Sequence, residues 1–321
     1  MNATPEDIAR AAALLRAGEL VALPTETVYG LGADASNAQA VAKIFAAKGR
    51  PADHPLIVHL ADAESITYWA RDIPTEAIAL ARAFWPGPLT LILKKEEDVL
   101  DDVTGGQDTV GLRVPDHPVA LALLRAFSSG DGGIAAPSAN RFGRISPTTA
   151  QHVADDLGDA VGMILDGGAC QVGIESTILD LSRGEPVILR PGMIGADAIA
   201  AVIGRRPKLP QAVANAPRVS GALAAHYAPR TPMRMSADVA TVSVDSAVLA
   251  FSISKPAAHT GVWIKASGEA ASYAHDLYAN LRALDACGAA SIVVEQIPAV
   301  SDWDAVRDRL GRAVTGSGAE Q

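Results

Sequence analysis

Apolar positions along this chain repeat with two periods. Short runs of strand character occupy 20–23, 56–60, 89–94, 109–114, 133–137, 161–165, 176–181 and 186–190, and between them apolar residues recur at helical spacing over 37–48, 75–84, 117–127, 148–157 and 196–203. That alternation predicts an α/β domain, a mixed sheet covered by helices. Beyond residue 236 the pattern restarts in miniature. Strands near 247–252, 261–265 and 291–296, with helices near 272–287 and 302–314, predict a small open α/β domain whose strands run mainly parallel. Leu277, Leu281 and Leu284 share one helix face, and Trp303, Val306 and Leu310 another; both read as core stripes. A length of 321 residues leaves room for two such cores.

The stretch 205–235 follows neither period, and its charge sets it apart. Residues 1–204 hold 15 basic against 26 acidic side chains and residues 236–321 hold 6 against 10, whereas 205–235 hold 6 basic residues and no carboxylate. The six are Arg205, Arg206, Lys208, Arg218, Arg230 and Arg234, interspersed with Pro207, Pro210, Pro217, Pro229 and Pro232. Prolines at this density predict an extended linker between a domain of 1–204 and one of 236–321. Its one-sided charge suits a lid over an anionic ligand. The net charge of −9 opposes affinity for a nucleic-acid backbone. No run approaches the ~18 apolar residues of a membrane span, and Met1-Asn2-Ala3-Thr4-Pro5-Glu6-Asp7 is not a basic, apolar leader. A cytoplasmic protein is expected. Cys170 and Cys287 predict neither a disulfide framework nor a zinc cluster.

The densest chemistry lies between 20 and 60. An apolar strand, Leu20 to Leu23, enters a turn rich in hydroxyls and glycines; a helix over 37–48 follows, with Ser36 as its expected N-cap, Val41, Ile44 and Phe45 on one face, and Gly49 as its stop. Lys48 and Arg50 then emerge on a loop bounded by glycine and proline. A point charge and a planar fork, with Thr25 and Thr27 nearby, fit an anionic ligand. Either cation taken alone is better explained as a solvated helix C-terminus.

Further polar groups fall at strand ends, where open α/β sheets bind ligands. Ser138 and Asn140 follow strand 133–137, and Ser146 precedes Pro147, where a helix cap would also explain it. Arg113 and Arg190 interrupt apolar strands, so each must meet a partner or face a cavity. His59 fits a core histidine as well as a substrate contact, His54 shares the loop of Arg50, and His117 and His152 read as structural. No histidine pair has metal-ligand spacing with a cysteine or carboxylate. Gly30-Leu31-Gly32-Ala33-Asp34-Ala35 matches a dinucleotide fingerprint in letters only, because six residues separate it from the preceding strand. Without a Gly-x-Ser-x-Gly elbow, Ser138 and Ser176 are not covalent nucleophiles.

Read together, Leu23-Pro24-Thr25-Glu26-Thr27-Val28-Tyr29-Gly30-Leu31-Gly32, Lys48-Gly49-Arg50-Pro51, His54-Pro55-Leu56, Ala136-Pro137-Ser138-Ala139-Asn140, Glu175-Ser176-Thr177-Ile178 and Leu189-Arg190-Pro191-Gly192 resemble, in order, the blocks of the YrdC-like threonylcarbamoyl-AMP synthases. His226-Tyr227-Ala228-Pro229 resembles the linker of that family's long form, although Val219-Ser220-Gly221-Ala222-Leu223-Ala224-Ala225 stands where a longer lead is usual. The resemblance implies a YrdC-like twisted mixed sheet, a smaller Rossmann-like C-terminal domain, and condensation of L-threonine, bicarbonate and ATP into threonylcarbamoyl-AMP and pyrophosphate. It implies threonine contacts at Thr27, His59, Arg113, Ala136 and Ser176, and ATP contacts at Lys48, Arg50, His54, Thr109, Ser138, Ser146, Arg190 and Tyr227, with Lys48 and Arg50 the catalytic cations. Magnesium would arrive with ATP. The product would pass to a tRNA threonylcarbamoyl transferase complex, with direct tRNA contact left open. A non-catalytic RNA-binding module of the same fold and a carbamoyltransferase-like maturation factor stay as rivals.

Overall fold

The computed structural model describes residues 3–128, 132–209 and 216–318. The chain divides into two compact units: Met1–Arg141, Pro147–Gln171 and Glu175–Ala222 form the first, and Phe142–Ser146, Val172–Ile174 and Leu223–Gln321 the second.

The first unit opens with α1 (Pro5–Arg16), which was not among the expected helices although Ile8, Ala11, Ala12 and Leu15 stand at helical spacing. Thr4 caps it reciprocally with Asp7, and proline occupies its first turn. Then come β1 (Val21–Leu23), β2 (Gly30–Asp34), α2 (Ala38–Lys48), β3 (Ile57–His59), α3 (Ile66–Trp69), β4 (Ala70–Arg71), α4 (Thr75–Phe84), β5 (Leu89–Lys95), α5 (Asp101–Thr104), β6 (Thr109–Arg113), α6 (Pro118–Ser128), β7 (Ile134–Ala135), α7 (Ala150–Leu157), β8 (Met163–Ile164), β9 (Thr177–Asp180), β10 (Val187–Arg190) and α8 (Ala196–Ile203). Ten strands among the described residues make one mixed sheet in the order β10-β9-β5-β6-β3-β7-β2-β1-β8, with β4 beside β5.

Two local expectations are corrected. The cap of α2 is Asn37, whose side chain accepts from the N–H groups of Gln39 and Ala40, and Ser36 only bonds back to Asp34. Gly30 and Gly32 belong to β2, paired with β1, rather than to a turn. A Cβ on Gly32 would meet the side chains of Ile134 and Leu23 at 2.9 Å, so close sheet packing accounts for this glycine. Gly49 does end α2, with φ 64°.

Strand alternation divides the sheet into two chemically different faces. Val58, Leu89, Leu91, Leu93, Val110, Leu112 and Leu179 pack into one core with Val41 and Ile44 of α2, Ala77 and Leu80 of α4, and Ile199 of α8. Burying each such aliphatic side chain stabilises by about 1.5–3 kcal/mol, and this side holds the unit together. A further cluster joins α1 and α6 to β1 through Leu15, Leu123, Leu124, Val21 and Leu23. On the other face a smaller patch, Ile57, Ile92, Ile178, Val187 and Leu189, is covered by Val219.

The second unit contains β11 (Met233–Ser236), β12 (Ala247–Ala250), β13 (Trp263–Lys265), α9 (Ala270–Ala286), β14 (Ile292–Glu295) and α10 (Asp304–Gly316). Its strand order is β11-β14-β12-β13, and every pair is parallel. β11 had no counterpart among the expected strands. Leu277, Leu281, Leu284, Trp303, Val306 and Leu310 are all buried, as their spacing predicted.

Candidate active site

Most of the candidate residues gather on the face of the large sheet with the thinner apolar cover. On β6 residues 109, 111 and 113 share one side, because side chains alternate. Arg113 marks one end, Thr109 the other, and about 14 Å of strand separates them at ~3.4 Å per residue. Gly111 between them keeps the floor low: a Cβ there would already touch Ile92 at 3.1 Å.

At the Arg113 end, β3 and β6 run parallel with His59 opposite Arg113. Both side chains are buried. Arg113 Nε donates to the Gly87 carbonyl at 3.2 Å, and its Nη2 lies 2.7 Å from Glu26 Oε2. His59 Nδ1, Arg113 Nη2 and both carboxylate oxygens of Glu26 have no aligned hydrogen-bond partner although they are shielded from solvent. Burial, reinforced by Arg113, drives the His59 imidazole down to about 3, so it is neutral near pH 7. Thr27 is buried beside Thr25, hydroxyl to hydroxyl at 2.9 Å. Thr25 is no ligand candidate: its hydroxyl donates to the Val28 carbonyl and accepts from two backbone N–H groups, so it shapes the turn. Ala136, whose N–H bonds the Ile57 carbonyl, abuts Gly30.

Ser176 and Arg190 form the flank. Thr90 and Ser176 share a hydroxyl contact of 2.8 Å. A β-bulge between Ile188 and Arg190 turns the Arg190 guanidinium onto Ser176, where Nε and Nη2 donate to its carbonyl and Nη2 to its hydroxyl, while Nη1 holds the Ser220 carbonyl at 2.9 Å. Arg190 therefore fixes both Ser176 and the segment that covers this face.

The expectation of loop-borne cations fails for Lys48. It ends α2, is buried, and its Nζ donates to the carbonyls of Ser138 and Asn140 at 2.5 and 2.6 Å. Burial, then Arg50, hold its ammonium well below the ordinary lysine range. Arg50 is buried too. It donates to the Pro55 carbonyl at 2.8 Å and reaches Ser220 Oγ at 3.4 Å. His54 is half-buried on the same loop and lowered by burial and by Arg50. Thr109 is buried at the far end, where Gln107, Arg218, Val219 and Ser220 line a small cavity with it.

Ser146 and Tyr227 belong to the second unit. Ser146 is fully buried and caps no helix; Thr149 caps α7. Arg282 donates to the carbonyls of Ile145 and Ser146. Tyr227, at φ 60°, stacks on Tyr278 with ring centres 5.7 Å apart beneath the Arg309 guanidinium. His117 and His152 are structural, each Nδ1 accepting a backbone N–H from a nearby residue.

Sequence reasoning passed over Glu26, Thr90 and Ser220. For Glu26 a signal existed: it is the sole charge between Glu19 and Asp34, in an otherwise apolar and hydroxyl-bearing stretch. Thr90 and Ser220 become visible only through strand pairing and chain return.

Comparison with known proteins bears on the family and the fold. The Sua5/YciO/YrdC family profile, described as telomere recombination, matches residues 13–192, and a threonylcarbamoyl-AMP synthase C-terminal domain profile matches 194–315. Threonylcarbamoyl-AMP synthase of Bacillus subtilis is 40% identical over 98% of this chain and 95% of its own length. That of Pyrococcus abyssi is 49% identical over 68% of this chain and 64% of its own. The crystal structure of P. abyssi Sua5 complexed with L-threonine superposes with a TM-score of 0.88 at 38% identity, covering 98% of this chain and 96% of that one.

Proposed function

The chain belongs to the Sua5/YciO/YrdC family in its long form, and from that premise we infer that it is a threonylcarbamoyl-AMP synthase. The observation that carries the reading is the line along β6: buried polar atoms with unused capacity at the Arg113 end, and a polar end at Thr109 beyond a glycine floor. Such a track suits an amino acid joined to a nucleotide. Threonine would sit at the first end, its carboxylate on Arg113 and its polar atoms within reach of His59, Thr27 and Ser176, with Ala136 limiting the space. ATP would lie toward Thr109, Arg50, His54 and Ser138, with Lys48 and Arg190 bracing the walls. Ser146 and Tyr227, which the family resemblance also assigns to ATP, belong to the second unit.

The chemistry needs alignment and charge neutralisation more than a covalent nucleophile. Threonine's amine adds to bicarbonate, and the carbamate oxygen displaces pyrophosphate from the α-phosphorus of ATP. Among the described residues no group of three or more His, Cys, Asp or Glu is placed to hold a metal, so magnesium would be carried by ATP phosphates and water. The product would serve N6-threonylcarbamoylation of tRNA through a downstream transferase complex in the cytoplasm; no described helix is long and apolar enough to cross a membrane. Pyrophosphate release is the test. It should require threonine and bicarbonate together, and release that ignores either one overturns the assignment.

A further inference from the structure

Glu26 is 3% exposed, yet neither of its oxygens has an aligned donor. A carboxylate shielded from water is costly unless something supplies hydrogen bonds. Its neighbours do not. His117 and Cys170 both feel the charge of Glu26, but His117 Nδ1 is engaged by the Val119 N–H, and the Cys170 thiol, pushed up to about 12 by burial and then by Glu26, stays protonated. Arg113 lies 2.7 Å away without the alignment of a hydrogen bond, its Nε turned to Gly87.

Arg113 and Glu26 thus form a buried dipole with unspent donors at one end and unspent acceptors at the other. A zwitterionic α-amino acid is the complementary dipole, since it carries carboxylate and ammonium on adjacent bonds. With its carboxylate on Arg113, its ammonium falls toward Glu26. We propose that Glu26 receives the α-ammonium of the amino-acid substrate and takes the proton that must leave before nitrogen can act as a nucleophile. The inference rests on the synthase reading. An ammonium N–H bond breaks, its electron pair stays on nitrogen and the proton moves to the Glu26 carboxylate. The amine then forms a C–N bond to the bicarbonate carbon as the C–OH bond breaks, and the hydroxide departs as water with a second amine proton. An N-carboxylate remains to attack ATP. Arg113 stays cationic throughout, and once Glu26 is neutral the substrate carboxylate is its counter-ion.

Calorimetry with threonine, with 2,3-dihydroxybutanoate, which replaces the amine by a hydroxyl, and with ATP tests this. The wild type should prefer threonine over the hydroxy acid by roughly a hundredfold, as expected for a site built around a charged group. Glu26→Gln should weaken threonine about tenfold or more, leave ATP and the hydroxy acid unchanged, and lower kcat at saturating threonine about a hundredfold. Glu26→Asp should recover part of both. Equal weakening of threonine and the hydroxy acid, or a normal kcat in Glu26→Gln, overturns the proposal. If Glu26→Gln does not fold, the wild-type ligand pair and Glu26→Asp decide it, and a wild type indifferent to the amine overturns it. Pyrophosphate release that needs no threonine instead sinks the synthase reading itself.

Discussion

Glu26 in the first unit and Glu295 in the second are both 3% exposed, and they live in opposite circumstances. Glu295 ends β14 and accepts from the N–H groups of Phe251, Ser252 and Ile253 and from the Ser252 hydroxyl. Burial pushes its pKa up, but the Ser252 hydroxyl and these N–H groups outweigh that and hold it below the usual range. It closes the end of the small parallel sheet and leaves nothing unused. Glu26 faces one guanidinium and no aligned donor. The same side chain at the same burial is mortar in one place and an open socket in the other, and the difference is hydrogen-bond satisfaction.

The comparison breaks most sharply at Arg113. Arg113→Ala leaves Glu26 buried without compensation, which costs about 3–5 kcal/mol of stability, and removes the proposed carboxylate partner. Threonine affinity should fall about tenfold or more while ATP binding per folded molecule persists. Calorimetry with each ligand checks this, and equal loss of both affinities would make Arg113 structural, as Glu295 is.

The other side of the comparison predicts the reverse split. Glu295→Gln keeps the shape but removes the charge that gathers four donors, so it should lower stability by about 1.5–3 kcal/mol. Thermal unfolding reads that loss. Turnover and the KM for threonine, normalised to folded protein, should stay at wild-type values, and a specific drop in turnover would show that the second unit's carboxylate serves more than its own sheet.

How much of this was legible beforehand follows the same division. Elements with strong apolar periods, such as α2, α4, β5, β6 and α9, came directly from the sequence, because burial sets both their pattern and their position. Short elements did not: α3, α5 and β4 have two to four residues, and β2 hides behind glycines that read as a turn. α1 carried both its Thr4 cap with Asp7 and an apolar stripe of Ile8, Ala11, Ala12 and Leu15, and was still passed over. In the site, residue types were legible and their environments were not. Lys48 reads as a helix-end cation, and only the return of 138–140 shows it buried on two carbonyls. Arg113 and Arg190 were correctly singled out as charges inside strands, but their partners, Glu26 and Ser176, lie 87 and 14 residues away in sequence and are set by strand order.

The smallest effect is expected where the sequence looked most conspicuous. The basic stretch after 204 reads as a strap drawn electrostatically onto polyphosphate, yet four of its six cations are paired with the first unit's own carboxylates: Arg205 with Glu76, Arg206 with Asp197, Lys208 with Glu185 and Arg218 with Asp53. Residues 210–215 lie outside the described set. These pairs are exposed, and such pairs contribute about 0–1 kcal/mol each. What fixes the segment is not these ion pairs: the Lys208 backbone bonds to β10 through Pro186 and Ile188, Val219 is buried on the Ile57, Ile92 and Ile178 patch, and Arg190 holds the Ser220 carbonyl. Replacing Arg205, Arg206 and Lys208 together by glutamine should therefore move stability by less than about 2 kcal/mol and leave the KM for ATP within twofold. Val219→Asp, one charge placed on that apolar patch, should raise the KM for ATP far more and speed proteolytic cutting between Arg205 and Arg234. If the triple glutamine variant instead weakens ATP several-fold with Val219 intact, the strap is held by charge after all, and its ion pairs exchange for phosphate on binding.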